Sequence, residues 1–143
     1  MYCNNSMASF CGTKTSIFSK TDLGTIGVSI PELKQKIFSD AVHEETWAAQ
    51  TIINANTMPP YNTHFAAYGL GWFLSDVKGY KQVTHTGGLA GIVTQVVMFP
   101  ELNLGILVFT NQQSGAAFNA ISNTIKDSYL GIKGANRVKQ MHD

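Results

Sequence analysis

Two consecutive runs, Ile92 to Phe99 and Leu104 to Thr110, are apolar on both faces of an extended chain. Ile92, Val96 and Met98 point one way while Val93, Val97 and Phe99 point the other; Ile106 and Val108 oppose Leu107 and Phe109. A sheet with two apolar faces requires a covering layer on each side. One layer is readable downstream: Ser114 is placed to cap a helix in which Phe118, Ile121, Ile125 and Tyr129 recur at helical spacing, with Lys126 in its last turn and Gly131 as its stop. The other layer falls to two short helices before residue 64. Pro31 opens a helical turn through Lys36, and Ser39, followed by Asp40, caps a helix to about Gln50 with Val42 and Trp47 facing inward. That layer is thin for its task.

Around these strands the chain supplies two more. Tyr68 to Val77 and Tyr80 to Thr86 flank a Lys78-Gly79 turn, and Gly87-Gly88 is expected to break the second run; Pro100 to Asn103 turns the chain between the two apolar strands. The reading is an α+β fold, an antiparallel sheet of about four strands flanked by helices, with the C-terminal helix packed on the sheet. Residues 1–30, rich in Ser, Thr, Asn and Gly, are expected to be an irregular lead-in, 31–131 the folded region and 132–143 a tail. Asn54 to Thr63, with Pro59-Pro60, reads as a surface loop.

Charged residues make up only 13% of the chain, against roughly a quarter in ordinary soluble domains. The formal net charge of +1 removes the electrostatic case for nucleic acid or an anionic membrane surface as partner. Gln95, Pro100, Glu101 and Asn103 interrupt the most hydrophobic stretch, so no membrane span is expected, and Met1 to Phe18 lacks the basic and apolar regions of a signal peptide. The expectation is a soluble chain of undetermined compartment. Cys3 and Cys11 match no metal or redox spacing; they read as inert thiols, with a disulfide as the alternative.

No GxSxG elbow, Walker loop, GxGxxG or HExxH occurs, and His43-Glu44-Glu45 lacks the second histidine of a zinc helix. No metal or organic cofactor is implied. The segment with chemical potential is His85-Thr86-Gly87-Gly88 at the end of an apolar strand. An imidazole, a hydroxyl and two residues without side chains would let a substrate approach the backbone, whose N–H groups could donate to an oxyanion. The plainer alternative is a hairpin in which Gly87-Gly88 makes the turn and His85 is half exposed.

The stretch from Tyr68 to Gly131 carries Tyr68-Gly-Leu-Gly-Trp72, His85-Thr-Gly-Gly88, Phe99-Pro-Glu-Leu-Asn-Leu-Gly105 and Val108-Phe-Thr-Asn111. In this order and spacing it resembles the C-terminal part of the penicillin-recognising serine hydrolases: class C-like β-lactamases, penicillin-binding proteins, D-peptidases and esterases. His85, Thr86 and Gly87 match the family's third motif. The resemblance implies that His85 is catalytic, assisting near the nucleophile, that Thr86 and Gly87 hold the substrate, and that the backbone N–H of Gly88 is one of two oxyanion donors.

The chain departs from the family at the nucleophile, which lies in a Ser-x-x-Lys motif opening a helix. Here the pattern occurs only as Ser75-Asp76-Val77-Lys78, at a hairpin turn, which reads as chance. Cys11-Gly12-Thr13-Lys14 has the spacing with a thiol but no helical context, and Tyr2-Cys3-Asn4 is a weak match to the family's Tyr-x-Asn motif. The expectation is therefore part of a serine hydrolase of amides or esters that is inactive alone. Alternatives are a non-enzymatic binding module for an acyl, peptide or ester ligand, and the complementing half of a split hydrolase. The low charge further implies that some of this surface is built as interior, to be covered by a homo-oligomer, a missing N-terminal half or another partner.

Overall fold

The computed structural model describes residues 14–18, 38–134 and 136–140. Its elements are β1 (Lys14–Phe18), α1 (Asp40–Thr46), β2 (Thr51–Ile53), β3 (Ala66–Tyr68), β4 (Phe73–Val77), β5 (Tyr80–Leu89), β6 (Ile92–Phe99), β7 (Leu104–Thr110), α2 (Gly115–Tyr129) and α3 (Arg137–Gln140). The strands form one sheet in the order β1-β7-β6-β5-β4-β3-β2. The α+β class holds, with seven strands among the described residues rather than about four. The additional ones are β1, which lies in the segment read as irregular, and the three-residue strands β2 and β3, too short to show alternation.

The chain divides into two compact units. One contains Phe18–His85 and Met98–Gly105. Its register aligns Ala67 with Leu74 and Leu74 with Val83 across β3, β4 and β5, and all three are buried. Met98, Phe99 and Leu104 are buried as well. The β4–β5 hairpin closes through Lys78 (φ 52°) and Gly79 (φ 85°), two consecutive left-handed residues whose twist matches that of the strands. The Pro100–Leu102 3-10 turn ends on Asn103 in the left-handed region, where the expected turn lies.

Ser39 does cap α1, its side chain accepting from Val42 N–H at 3.3 Å. The helix stops at Thr46, short of the expected Gln50, because the Gln50 N–H already donates to Tyr68 C=O at 2.9 Å as β2 joins β3. It buries none of its residues, so Val42 does not face inward, and Trp47 is half-buried. The proposed turn at Pro31 to Lys36 lies outside the described residues.

The other unit contains Met1–Ile17, Thr86–Val97 and Ile106–Asp143. Along β7, Ile106, Val108 and Thr110 are buried, whereas Leu107 is half-buried and Phe109 is 47% exposed. Only one face of this strand is therefore fully covered. Helix α2 follows Ser114 and ends where expected: Gly131 has φ 67° and the Ile132 N–H donates to Asp127 C=O at 2.9 Å, a Schellman closure. Its buried face differs from the sequence expectation. Phe118, Ile121 and Ile125 are half-buried and Tyr129 is exposed, while Ala120, Ser122, Lys126 and Asp127 are buried. The cause lies downstream, in a segment read as a tail. Helix α3 packs on α2 and Arg137 pairs with Asp127, Nε to Oδ2 at 2.6 Å, which makes the Lys126–Asp127 side the covered one.

Candidate active site

His85 sits on β5, half-buried, among three aromatic side chains. Its Nε2 lies 3.3 Å from the Tyr68 hydroxyl. Phe73 stacks against the imidazole at 6.0 Å and 27°, and Trp72 meets it edge-on at 6.4 Å and 85°. Tyr68 and Phe73 hold each other in a T-shaped pair at 4.7 Å, a favoured ring geometry.

Strand register produces this cluster. Tyr68 is paired with Phe73 and Phe73 with Thr84, the residue before His85. The Gly69-Leu70-Gly71 link lets the chain double back, with the Gly69 N–H donating to Trp72 C=O at 2.8 Å. Leu70 N–H donates to Thr46 C=O at 3.1 Å, tying the link to the end of α1. Gly69 is required by close approach: a Cβ there would stand 2.5 Å from Thr46 O and 2.9 Å from Ala48 O, both backbone atoms that cannot swing aside. Gly69→Ala should cost about 1–3 kcal/mol in a denaturant melt and shift the NMR resonances of Tyr68 and His85. Unchanged stability would show that the link relaxes freely.

Beyond His85 the strand does not break. β5 continues through Thr86, Gly87 and Gly88 to Leu89, and the turn falls at Ala90-Gly91, where Gly91 takes φ 82°. Gly87-Gly88 is thus extended strand, which excludes the reading in which these two glycines form the turn. Thr86, Gly87 and Gly88 are exposed. The two glycines differ in what requires them. A Cβ on Gly87 would come within 2.7 Å of Thr94 Oγ1, whose hydroxyl donates to Gly87 C=O at 3.5 Å. A Cβ on Gly88 would meet nothing closer than 3.9 Å, so the chain's own packing gives no reason for glycine there.

The remaining sequence candidates are less apt. Ser75 lies within β4, accepting from Gln82 Nε2 at 3.3 Å, and Lys78 is in the hairpin turn, so Ser75-x-x-Lys78 opens no helix. Cys11-Gly12-Thr13-Lys14 and Tyr2-Cys3-Asn4 lie outside the residues whose side chains are described. Sequence reasoning missed Tyr68 and Phe73 as neighbours of His85. The Tyr68-Gly-Leu-Gly-Trp72 segment carried the signal, but its contact with His85 depends on the register of a three-residue strand.

Residues 21–130 match the family model described as Beta-lactamase, well over half of the chain. The chain belongs to the beta-lactamase family. Among curated relatives, it is 30% identical over 104 residues to the unguisins hydrolase ungD of Aspergillus violaceofuscus, covering 69% of this chain and 18% of that protein. It is 25% identical over 100 residues to the unguisins hydrolase ungD' of Aspergillus campestris, covering 70% and 18%. This beta-lactamase-family chain therefore spans under a fifth of the length of those relatives. A solved structure, the octameric penicillin-binding protein homologue from Pyrococcus abyssi, aligns with a TM-score of 0.49 at 20% identity, over 66% of this chain and 21% of that one. No helix among the described residues is long and apolar enough to cross a membrane.

Proposed function

We propose that His85-Thr86-Gly87-Gly88 is the substrate-facing strand segment of an acyl-serine hydrolase acting on an amide or ester. In this reading His85 assists close to the reacting centre. The Thr86 hydroxyl and the backbone at Gly87 hold the substrate, and the Gly88 N–H donates to the developing oxyanion. The observation that carries the reading is Gly88 itself. It is an exposed strand residue whose missing side chain serves no contact within the chain, three positions along the same strand from His85. Membership of the beta-lactamase family and two relatives named as hydrolases support hydrolysis as the reaction class.

A serine nucleophile with its lysine on a helix is not readable in these 143 residues. On this account the chain binds the acyl group of a ligand without becoming acylated, and the nucleophile comes from a separate or preceding N-terminal half. The low charge, together with exposed Ile52 (76%) and Leu89 (75%), supports a surface that is covered by such a half or by a second copy. Titrating an N-acyl-D-amino acid or a ring-opened penicillin into the labelled chain should shift the Thr86 and Gly88 amide resonances. Thr86→Val should weaken binding about tenfold, one hydrogen bond's worth. Shifts confined to other residues, or none at millimolar ligand, would overturn the assignment.

A further inference from the structure

We infer that Thr94 is a positioning residue: its hydroxyl, bound to Gly87 C=O, holds the Gly87–Gly88 peptide unit in the orientation that presents the Gly88 N–H. The inference rests on the reading of that N–H as an oxyanion donor, but the tether itself is measurable without any ligand. The roles in the contact are fixed by chemistry. A backbone carbonyl oxygen only accepts, so across the 3.5 Å the Thr94 hydroxyl is the donor and Gly87 C=O the acceptor. The Gly87–Gly88 peptide is planar and trans, so its C=O and N–H share one plane and point in opposite directions. Holding the carbonyl toward Thr94 on β6 therefore turns the Gly88 N–H toward the opposite edge of β5. The ladder between β4 and β5 runs from Tyr80 to Thr84, so Gly88 lies beyond it, and Gly88 is exposed.

The residue types explain why a tether is needed there. Glycine on both sides of one peptide unit leaves it with two loose dihedrals, ψ of Gly87 and φ of Gly88, and rotation about them swings carbonyl and N–H together. Thr94 is suited to oppose that rotation. It is β-branched, which restricts its χ1, and it is half-buried. Its Oγ1 stands where a side chain of residue 87 would begin, since a Cβ built on Gly87 would come within 2.7 Å of it. Gly87 and Thr94 are thus complementary: the missing side chain makes room for the hydroxyl, and the hydroxyl supplies the restraint that glycine lacks. A Cβ on Gly88 has no such close neighbour, its nearest contacts being Ile92 O and Val93 Cγ1 at 3.9 Å. All three residues lie in the one compact unit that contains Thr86–Val97.

The test compares the full chain with Thr94→Val, which keeps the branched shape and deletes the hydroxyl, and with Thr94→Ser, which keeps the hydroxyl. Thr94→Val should move the carbonyl carbon-13 resonance of Gly87 upfield, as loss of a bonded donor does. It should also lower the Gly88 N–H order parameter from about 0.85, usual for rigid backbone, toward 0.6. N-acetyl-D-alanine should bind Thr94→Val about two- to tenfold more weakly than wild type, and Thr94→Ser should restore both the resonance and the affinity. Unchanged Gly87 and Gly88 signals in a Thr94→Val chain that still unfolds cooperatively in urea would overturn the inference. So would equal losses in Thr94→Val and Thr94→Ser, which would trace the effect to the methyl group, and so would equal affinity of wild type and Thr94→Val for the probe. If the Gly87 and Gly88 signals respond as expected but N-acetyl-D-alanine binds none of the three chains, the tether is upheld and the oxyanion reading of Gly88 falls.

Discussion

Replacing Asp127 with alanine should destabilise the chain by about 3–5 kcal/mol, the usual cost of stranding one member of a buried ion pair. Asp127 and Arg137 meet through two hydrogen bonds, Nε to Oδ2 at 2.6 Å and Nη2 to Oδ1 at 3.1 Å, and their side chains are 7% and 9% exposed. Without the carboxylate the guanidinium remains in a site with little water. It can escape only by carrying α3 away from α2, which exposes the Lys126 side of the longer helix. Urea unfolding would register the loss as a lower midpoint, and hydrogen exchange would show whether α3 opens first. The paired change Asp127→Leu with Arg137→Met should recover part of the stability, because an apolar pair of similar volume removes the stranded guanidinium while the buried Lys126 still loses the carboxylate beside it. A single-variant loss below about 1 kcal/mol would mean that water reaches the pair.

The second large effect is a dependence on pH that comes from Lys126. Burial pushes its ammonium down from 10.5 to about 8; the neighbouring Asp127 raises it, and Arg137 lowers it further. Below about pH 8 the lysine is protonated in both folded and unfolded chains, and above about 10.5 in neither. Between those limits the unfolded chain holds the extra proton. Raising the pH through this window therefore favours the folded state, by on the order of 3 kcal/mol in total. The clean readout is the difference in unfolding free energy between wild type and Lys126→Met, which should climb in favour of wild type across the window. A constant difference would show that the ammonium is solvated. The two effects are coupled: removing Asp127 takes away a group that raises Lys126, so the climb in Asp127→Ala should begin at lower pH.

Neither effect was visible in the amino-acid sequence, where Lys126 served only as a helix-ending cation. Its burial follows from Arg137, a residue in a segment read as a tail, because an ion pair across ten residues leaves no periodic trace. What was legible was local. Strands β5 to β7, the Lys78-Gly79 and Pro100–Asn103 turns, the Ser39 cap and the Gly131 stop all follow from apolar runs, turn chemistry and capping over a few residues, whereas the run read as one strand from Tyr68 to Val77 is divided between β3 and β4. Short pairings were not legible: β2 and β3 have three residues each, and α1 ends early because its successor is claimed by Tyr68.

The candidate site shows the same division. His85-Thr86-Gly87-Gly88 was singled out by residue type, but two adjacent glycines suggested a break, and the strand runs through them to a turn at Gly91. The aromatic setting of His85 needed the register that brings Tyr68 and Phe73 onto neighbouring strands.

The proposed function is that this beta-lactamase-family chain supplies the His85–Gly88 segment of an acyl-serine site without the serine that would be acylated. It is tested most directly by incubating the 143-residue chain with a reactive penicillin, and separately with a fluorophosphonate, and weighing the intact protein. The account predicts an unchanged mass with both reagents; a stoichiometric adduct, mapped to any serine of the chain, would contradict it.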